Sequence, residues 1–90
     1  MKSATEEDWR TEYLDLILSG RKTFEVRDCS DRDFREGGIV ILRAWDPGTQ
    51  SYLKRPEVAA EIGYVMPQGA WGLPLGMVVF SLLNVRELPR

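Results

Sequence analysis

A chain of 90 residues has room for one domain, spanning 1–90, and for one hydrophobic core. With no His and a single cysteine, Cys29, it cannot form an internal disulfide, the usual zinc, haem or iron–sulfur site, or a His-based catalytic centre, so no metal and no cofactor are expected. A net charge of −2 argues against coating nucleic acid through global charge but leaves open a local basic groove.

The first ten residues are polar and acidic, with Trp9 as their one large apolar side chain. Met1-Lys2-Ser3 followed by Glu6-Glu7-Asp8 lacks the basic start and apolar centre of a signal peptide, and no apolar run approaches the roughly 20 residues that span a bilayer, so a cytoplasmic chain without membrane contact is expected. Thr11 has the character of an N-cap, with Glu12 in the first turn where the helix dipole favours an acid. Tyr13, Leu14, Ile17 and Leu18 recur at helical spacing, and Gly20 supplies a left-handed stop. These residues predict a helix of about two turns ending near Ser19.

From Thr23 the period becomes two, with Phe24 and Val26 on one face and Thr23, Glu25 and Arg27 on the other. Asp28 to Gly38 reads as a charged turn anchored by Phe34. Ile39 to Trp45 is almost wholly apolar and is expected to be a strand buried on both faces. Asp46-Pro47-Gly48-Thr49 is a turn, because Pro presets φ and Gly supplies positive φ. A strand from about Tyr52 to Met66 is interrupted at Pro56, Pro67 to Gly76 is a loop carrying Trp71, and Met77 to Leu83 is a last strand with an extension towards Leu88. The order helix, then four strands, with no βαβ unit, predicts an α+β, mainly β fold: a small antiparallel β-barrel with one main N-terminal helix.

The chemistry concentrates in Gly20-Arg21-Lys22-Thr23-Phe24-Glu25-Val26-Arg27-Asp28 and the following Asp31-Arg32-Asp33-Phe34. Glu25 and Arg27 share a strand face. Arg27 offers a planar fork for a phosphate or a base edge, Glu25 can accept from exocyclic amino groups, and Lys22 is a point charge for phosphate. Strict alternation would turn Lys22 away from Glu25 unless the strand starts after it or a bulge re-aims it. The same three residues are also the ordinary composition of a solvated strand face, with ion pairs worth about 0.2–1 kcal/mol. Arg32 completes a basic rim or belongs only to the turn. Trp45, Tyr52 and Trp71 are stacking platforms or core and turn anchors, with Trp71 the best placed for stacking. Cys29 lacks an activating partner, and Ser81 is a strand hydroxyl or a ligand group.

The G-x-K-x-x-E-x-R pattern after a short helix resembles the signature of the ASCH domain superfamily. The K-T-F-E-V-R, D-R-D-F, W-D-P and G-x-V-V-F-S pieces resemble its short branch from bacteria, archaea and phages. The resemblance runs from about Thr11 to Leu83 and implies a PUA-like barrel that binds RNA or modified nucleotides in a cleft lined by Lys22, Glu25 and Arg27. Arg32 and Trp71 join them as expected ligand-binding residues. Some members are hydrolases, among them an N4-acetylcytidine amidohydrolase and a ribonuclease. The amidohydrolase relatives carry a Thr nucleophile where this chain has Glu25, and a catalytic Glu in a helical insertion where it has only a short loop between Gly63 and Gly76. That reaction therefore carries over less readily. A His near the N-terminus of many short-branch members has Thr5 as its nearest equivalent. Three functions follow as expectations: an RNA- or nucleotide-binding module; a hydrolase with Glu25 as general base and Lys22 orienting water or stabilising charge; and a prokaryotic or phage protein-interaction module with a protein partner.

Overall fold

The computed structural model describes residues 4–9, 11–30, 32–46 and 48–89, with side chains described from Tyr13 onward. The expectations on Asp31, on Pro47 and on the side chains of Thr11 and Glu12 lie outside the described residues. The elements are β1 (Ala4–Trp9), α1 (Thr11–Leu18), β2 (Phe24–Asp28), β3 (Ile39–Asp46), β4 (Ser51–Tyr52), β5 (Val58–Met66) and β6 (Met77–Glu87), with one 3-10 turn at Ala70–Gly72. The strands pair in the order β1-β3-β5-β6-β2, and β4 pairs with β3. The fold is mainly β with one short α-helix. Among the described residues no helix is long and apolar enough to cross a membrane.

The helix-first order and the wholly antiparallel sheet are corrected here. The polar segment 4–9 is a strand, so the helix comes second, and β1 runs parallel to β3, from Ala4 beside Ile39 to Trp9 beside Ala44. An edge strand is held by its backbone ladder and needs no apolar alternation, so side-chain periodicity gives no sign of it. The ladder starts at β1 and stops at β2, with no pairing between these two edges among the described residues.

Helix α1 lays Leu14 and Ile17, both buried, onto the core and ends as its sequence predicts. Gly20 has φ of 81°, and the N–H groups of Arg21 and Lys22 both bond the Leu16 carbonyl at 3.0 Å. The C-terminal end of β2 is turned by Asp28, whose carboxylate accepts from the backbone N and hydroxyl of Ser30 at 2.8 and 2.6 Å. Phe34 plugs the core as expected and stacks on Phe80, with ring centroids 5.1 Å apart.

The run buried on both faces is β5, not β3. In β3, Val40, Leu42 and Ala44 are buried while Ile39, Ile41, Arg43 and Trp45 are half-buried. Val58, Ala59, Ala60 and Ile62 of β5, the middle strand of the order, are all buried. The break at Pro56 is wider than expected and separates β4 from β5 over residues 53–57.

The β5–β6 ladder shifts register twice. Between Ala59/Arg86 and Glu61/Leu83 the extra residue is on β6, where Asn84 has φ of 52°. Between Ile62/Leu82 and Val65/Phe80 it is on β5, at Gly63–Tyr64, and there Ser81 Oγ accepts from Tyr64 N at 3.0 Å. Bulges bend and twist a ladder in this way. The bent strands approach so closely that a Cβ on Gly63 would lie 2.3 Å from Ser81 Oγ and 3.2 Å from Leu83. Gly63→Ala is therefore expected to cost on the order of 1–3 kcal/mol, the scale of an overpacked site. Part of that loss should return in Gly63→Ala/Ser81→Ala, as measured by the midpoint of urea unfolding.

Candidate functional site

Strand β2 is inverted relative to ordinary patterning. Phe24 and Val26 are exposed at 47% and 41%, whereas Glu25 is fully buried and Arg27 half-buried. The register explains the placement. Glu25 lies opposite Phe80 and Arg27 opposite Val78, and both of these β6 residues are buried core positions. A carboxylate and a guanidinium thus stand on the face that the neighbouring strand fills with core residues.

Lys22 joins them because β2 begins only at Phe24, so alternation does not bind it. Its Nζ donates to Glu25 Oε1 at 2.5 Å and to the Phe24 carbonyl at 2.9 Å. The ammonium also sits over the rings of Phe24 and Tyr13, 5.1 and 5.9 Å from their centroids. On the other side, Arg27 Nε lies 3.4 Å from Glu25 Oε2, an ion pair longer than a good hydrogen bond. Glu25 Oε2 is buried without a hydrogen-bond partner. The Lys22 and Arg27 side chains keep 16% and 13% of their surface, so the two cations form the solvent-side lid of a carboxylate that has none.

Desolvation is the largest influence on Glu25 and pushes its carboxyl above the ordinary value of 4.5, against the hydrogen bond and charge of Lys22 and the charge of Arg27. The charge of Arg27, which favours the ionised form, is a smaller influence than either desolvation or Lys22. The group is a proton acceptor of raised basicity, held between two cations and shielded from water.

The structure brings Lys22, Glu25 and Arg27 together and leaves the other two expected residues on exposed segments. Arg32 is exposed between β2 and β3. Trp71 is 95% exposed, with its backbone at φ 52° and ψ 36°, on the loop between β5 and β6. That loop is tied to the end of β2 through the Cys29 N–H, which bonds the Gly76 carbonyl at 2.7 Å, and Cys29 packs against the core. Ser81 is a partnered strand hydroxyl, as its bond to Tyr64 shows.

Two cavities were not foreseen, and Glu25 lines neither. One, of about 250 Å³, is an apolar groove on the outer face of β2, β6 and β5, walled by Phe24, Tyr64, Met66 and Val79. Its signal was the apolar half of the β2 alternation, Phe24 and Val26. The other, of about 330 Å³, lies where β3, β4 and the 53–57 segment meet, between Arg43, Tyr52, Arg55 and Glu57. Its charged residues come from segments distant in sequence. Tyr52 alone was singled out, for its aromatic ring, which meets Trp45 edge-on at 5.0 Å.

A chain with this fold and this buried triad can be placed by comparison. It belongs to the family described as Domain of unknown function (DUF3850), which residues 9–82 match, from the end of β1 through the triad and into β6. Comparison with curated proteins gives no match.

The raised carboxyl makes a signed prediction. A group with a higher pKa in the folded than in the unfolded chain adds stability below the unfolded value and loses it as pH rises through the folded one. Relative to Glu25→Gln, the wild type should therefore gain stability as pH falls from 7 towards about 4.5. Paired urea unfolding curves across that range check the sign. The opposite slope would mean that the ion pairs outweigh desolvation.

Proposed function

We propose that the protein is an RNA- or nucleotide-binding module whose ligand engages the Lys22–Glu25–Arg27 triad, in a sheet that curls as in PUA-like domains of the ASCH superfamily, and that it acts in the cytoplasm. The observation that carries this reading is the burial of Glu25 between two cations on a strand that turns Phe24 and Val26 to solvent. Exchanging charged and apolar faces of one strand gives away burial worth about 1.5–3 kcal/mol for a side chain of this kind and desolvates a carboxylate. Such local conflicts are characteristic of functional sites.

The chemistry suits a nucleotide. Two cations against one carboxylate leave a residual positive charge at the rim for a phosphate. Displacement of Lys22 or Arg27 towards that phosphate would free Glu25 to accept from a base amino group. Trp71, held out in solvent, supplies a face on which a base can stack, and Arg32 adds a peripheral charge. The hydrolase reading would use the same raised basicity of Glu25, with Lys22 beside it. It requires the substrate to reach a carboxylate that lines neither cavity. A second reading, a protein-interaction module, is favoured by the apolar outer groove and the exposed Phe24, Val26 and Tyr64 around it.

Short single-stranded RNAs titrated by fluorescence anisotropy should bind with a shallow salt dependence, in keeping with a few phosphate contacts. Lys22→Ala, Arg27→Ala and Glu25→Gln should each weaken binding by about 1–3 kcal/mol, with the fold checked by circular dichroism. Arg35→Ala, an exposed residue paired with Asp33, should leave it unchanged. Binding that requires ionised Glu25 should strengthen as pH rises through a midpoint above 4.5. Turnover of an acylated nucleoside or RNA that is lost in Glu25→Gln would establish the hydrolase instead. Triad variants that bind like the wild type would remove the triad from the site.

A further inference from the structure

The cavity between β3, β4 and the 53–57 segment shares no residue with the triad. Its frame is rigid at both ends. Leu53 N bonds the Ala44 carbonyl at 3.0 Å, and the Glu57 carbonyl accepts from Leu88 N at 2.7 Å. Between these pins, the Arg55 N–H bonds the Leu53 carbonyl at 3.0 Å, and Pro56 fixes the backbone before Glu57. Arg55 is aimed by helix α1, where Asp15 Oδ1 accepts from its Nη2 at 3.0 Å. A guanidinium has five N–H donors, and Asp15 is the only side-chain partner of this one among the described residues. Its remaining donors are available to a ligand.

Glu57 lines the same cavity, yet its carboxylate makes no hydrogen bond or ion pair among the described residues. A guanidinium and a carboxylate that border one cavity without pairing with each other form a donor edge and an acceptor edge held apart. One wall is aromatic: the Tyr52 ring, with the Arg43 guanidinium 4.3 Å from its centroid and Trp45 against its edge. Leu53 and Pro89 make the rest apolar. At about 330 Å³ the space falls at the small end of ligand pockets, which run from about 300 to 1,000 Å³.

A ligand that fits must be flat, small and dipolar, with acceptors grouped on one edge and donors on another. Guanine has this arrangement. O6 and N7 accept side by side, which suits an arginine fork, and N1–H and the N2 amino group donate side by side, which suits a carboxylate. Adenine sets an acceptor beside a donor on the edge that would face Arg55. Cytosine pairs its N3 and O2 acceptors but has only one amino group and no second donor beside it for Glu57, and uracil has no two adjacent acceptors. Resting on the nucleotide-binding reading, we infer that this cavity is a guanine subsite, in which Arg55 reads O6 and N7, Glu57 accepts from N1–H and the N2 amino group, and Tyr52 stacks on the ring.

Nuclear magnetic resonance titration of the full chain with guanosine, adenosine, cytidine and uridine monophosphates tests it, with inorganic phosphate as control. Guanosine monophosphate should give saturable shifts centred on Tyr52, Leu53, Arg55 and Glu57, and should bind about tenfold or more tightly than the other three, on the scale of one lost charged hydrogen bond. Arg55→Ala and Glu57→Gln should each remove most of that preference, and Arg35→Ala should keep it. Equal binding of the four nucleotides at this cavity, or the same shifts with inorganic phosphate alone, would overturn the guanine assignment. Nucleotide shifts confined to Lys22–Arg27 would overturn the subsite while leaving the nucleotide-binding reading intact. Absence of shifts at both places would overturn both.

Discussion

Everything around strand β2 is arranged to hold one carboxylate out of water. Glu25 occupies a place opposite Phe80 where an apolar side chain would be the stable choice, and Lys22 and Arg27 close over it from the strand's approach and from its interior. The left-handed stop at Gly20 has its meaning here. It ends α1 early enough for Lys22 to stand in an irregular segment, free of strand alternation, with its ammonium on the Phe24 carbonyl, the Phe24 ring and Glu25 together. A helix one turn longer would remove that reach.

The same carboxylate determines what the other face of β2 can be. With Glu25 and Arg27 inward, Phe24 and Val26 must point to solvent, because side chains alternate along a strand. They extend an apolar outer surface across β6 to Met66 and Tyr64 of β5. The bulge at Gly63–Tyr64, sealed by Ser81, sets where Tyr64 stands on that surface. The outer groove and the buried triad are thus two sides of one choice of register.

Much of this was legible in the sequence, for physical reasons that differ by element. The helix could be read because its stripe and its glycine stop agree, and Phe34 could be read as a plug because it is the one large apolar residue in a charged turn. Lys22, Glu25 and Arg27 were legible as a group through their spacing and their resemblance to a known motif. Their burial was not. Alternation divides a strand into two faces but does not say which is inward, and here the charged face is the inner one. Strand β1 was invisible because polar residues on an edge carry no period. The central place of β5 was hidden because its alanines are weakly apolar, while the strongly apolar β3 lies nearer the edge beside β1. The second cavity could not be read at all, since Arg43, Tyr52, Arg55 and Glu57 converge only after the β3–β4 turn and the 53–57 segment fold together.

The parallel pairing of β1 with β3 also has a consequence for the order in which the chain takes shape. Ala4 aligns with Ile39, so the first strand in sequence has no ladder partner until a strand about 35 residues later has formed. Such distant pairings carry a loop-closure cost before any contact rewards it, and they slow folding. The β5–β6 pairing, by contrast, spans a loop of only ten residues, Pro67 to Gly76, and is the most local of the large ladders. β1 therefore waits unpaired until β3 has formed, and its Glu and Asp residues carry charges that discourage association with other chains meanwhile. The polarity that conceals β1 from periodicity is the property that lets it wait for a partner made later.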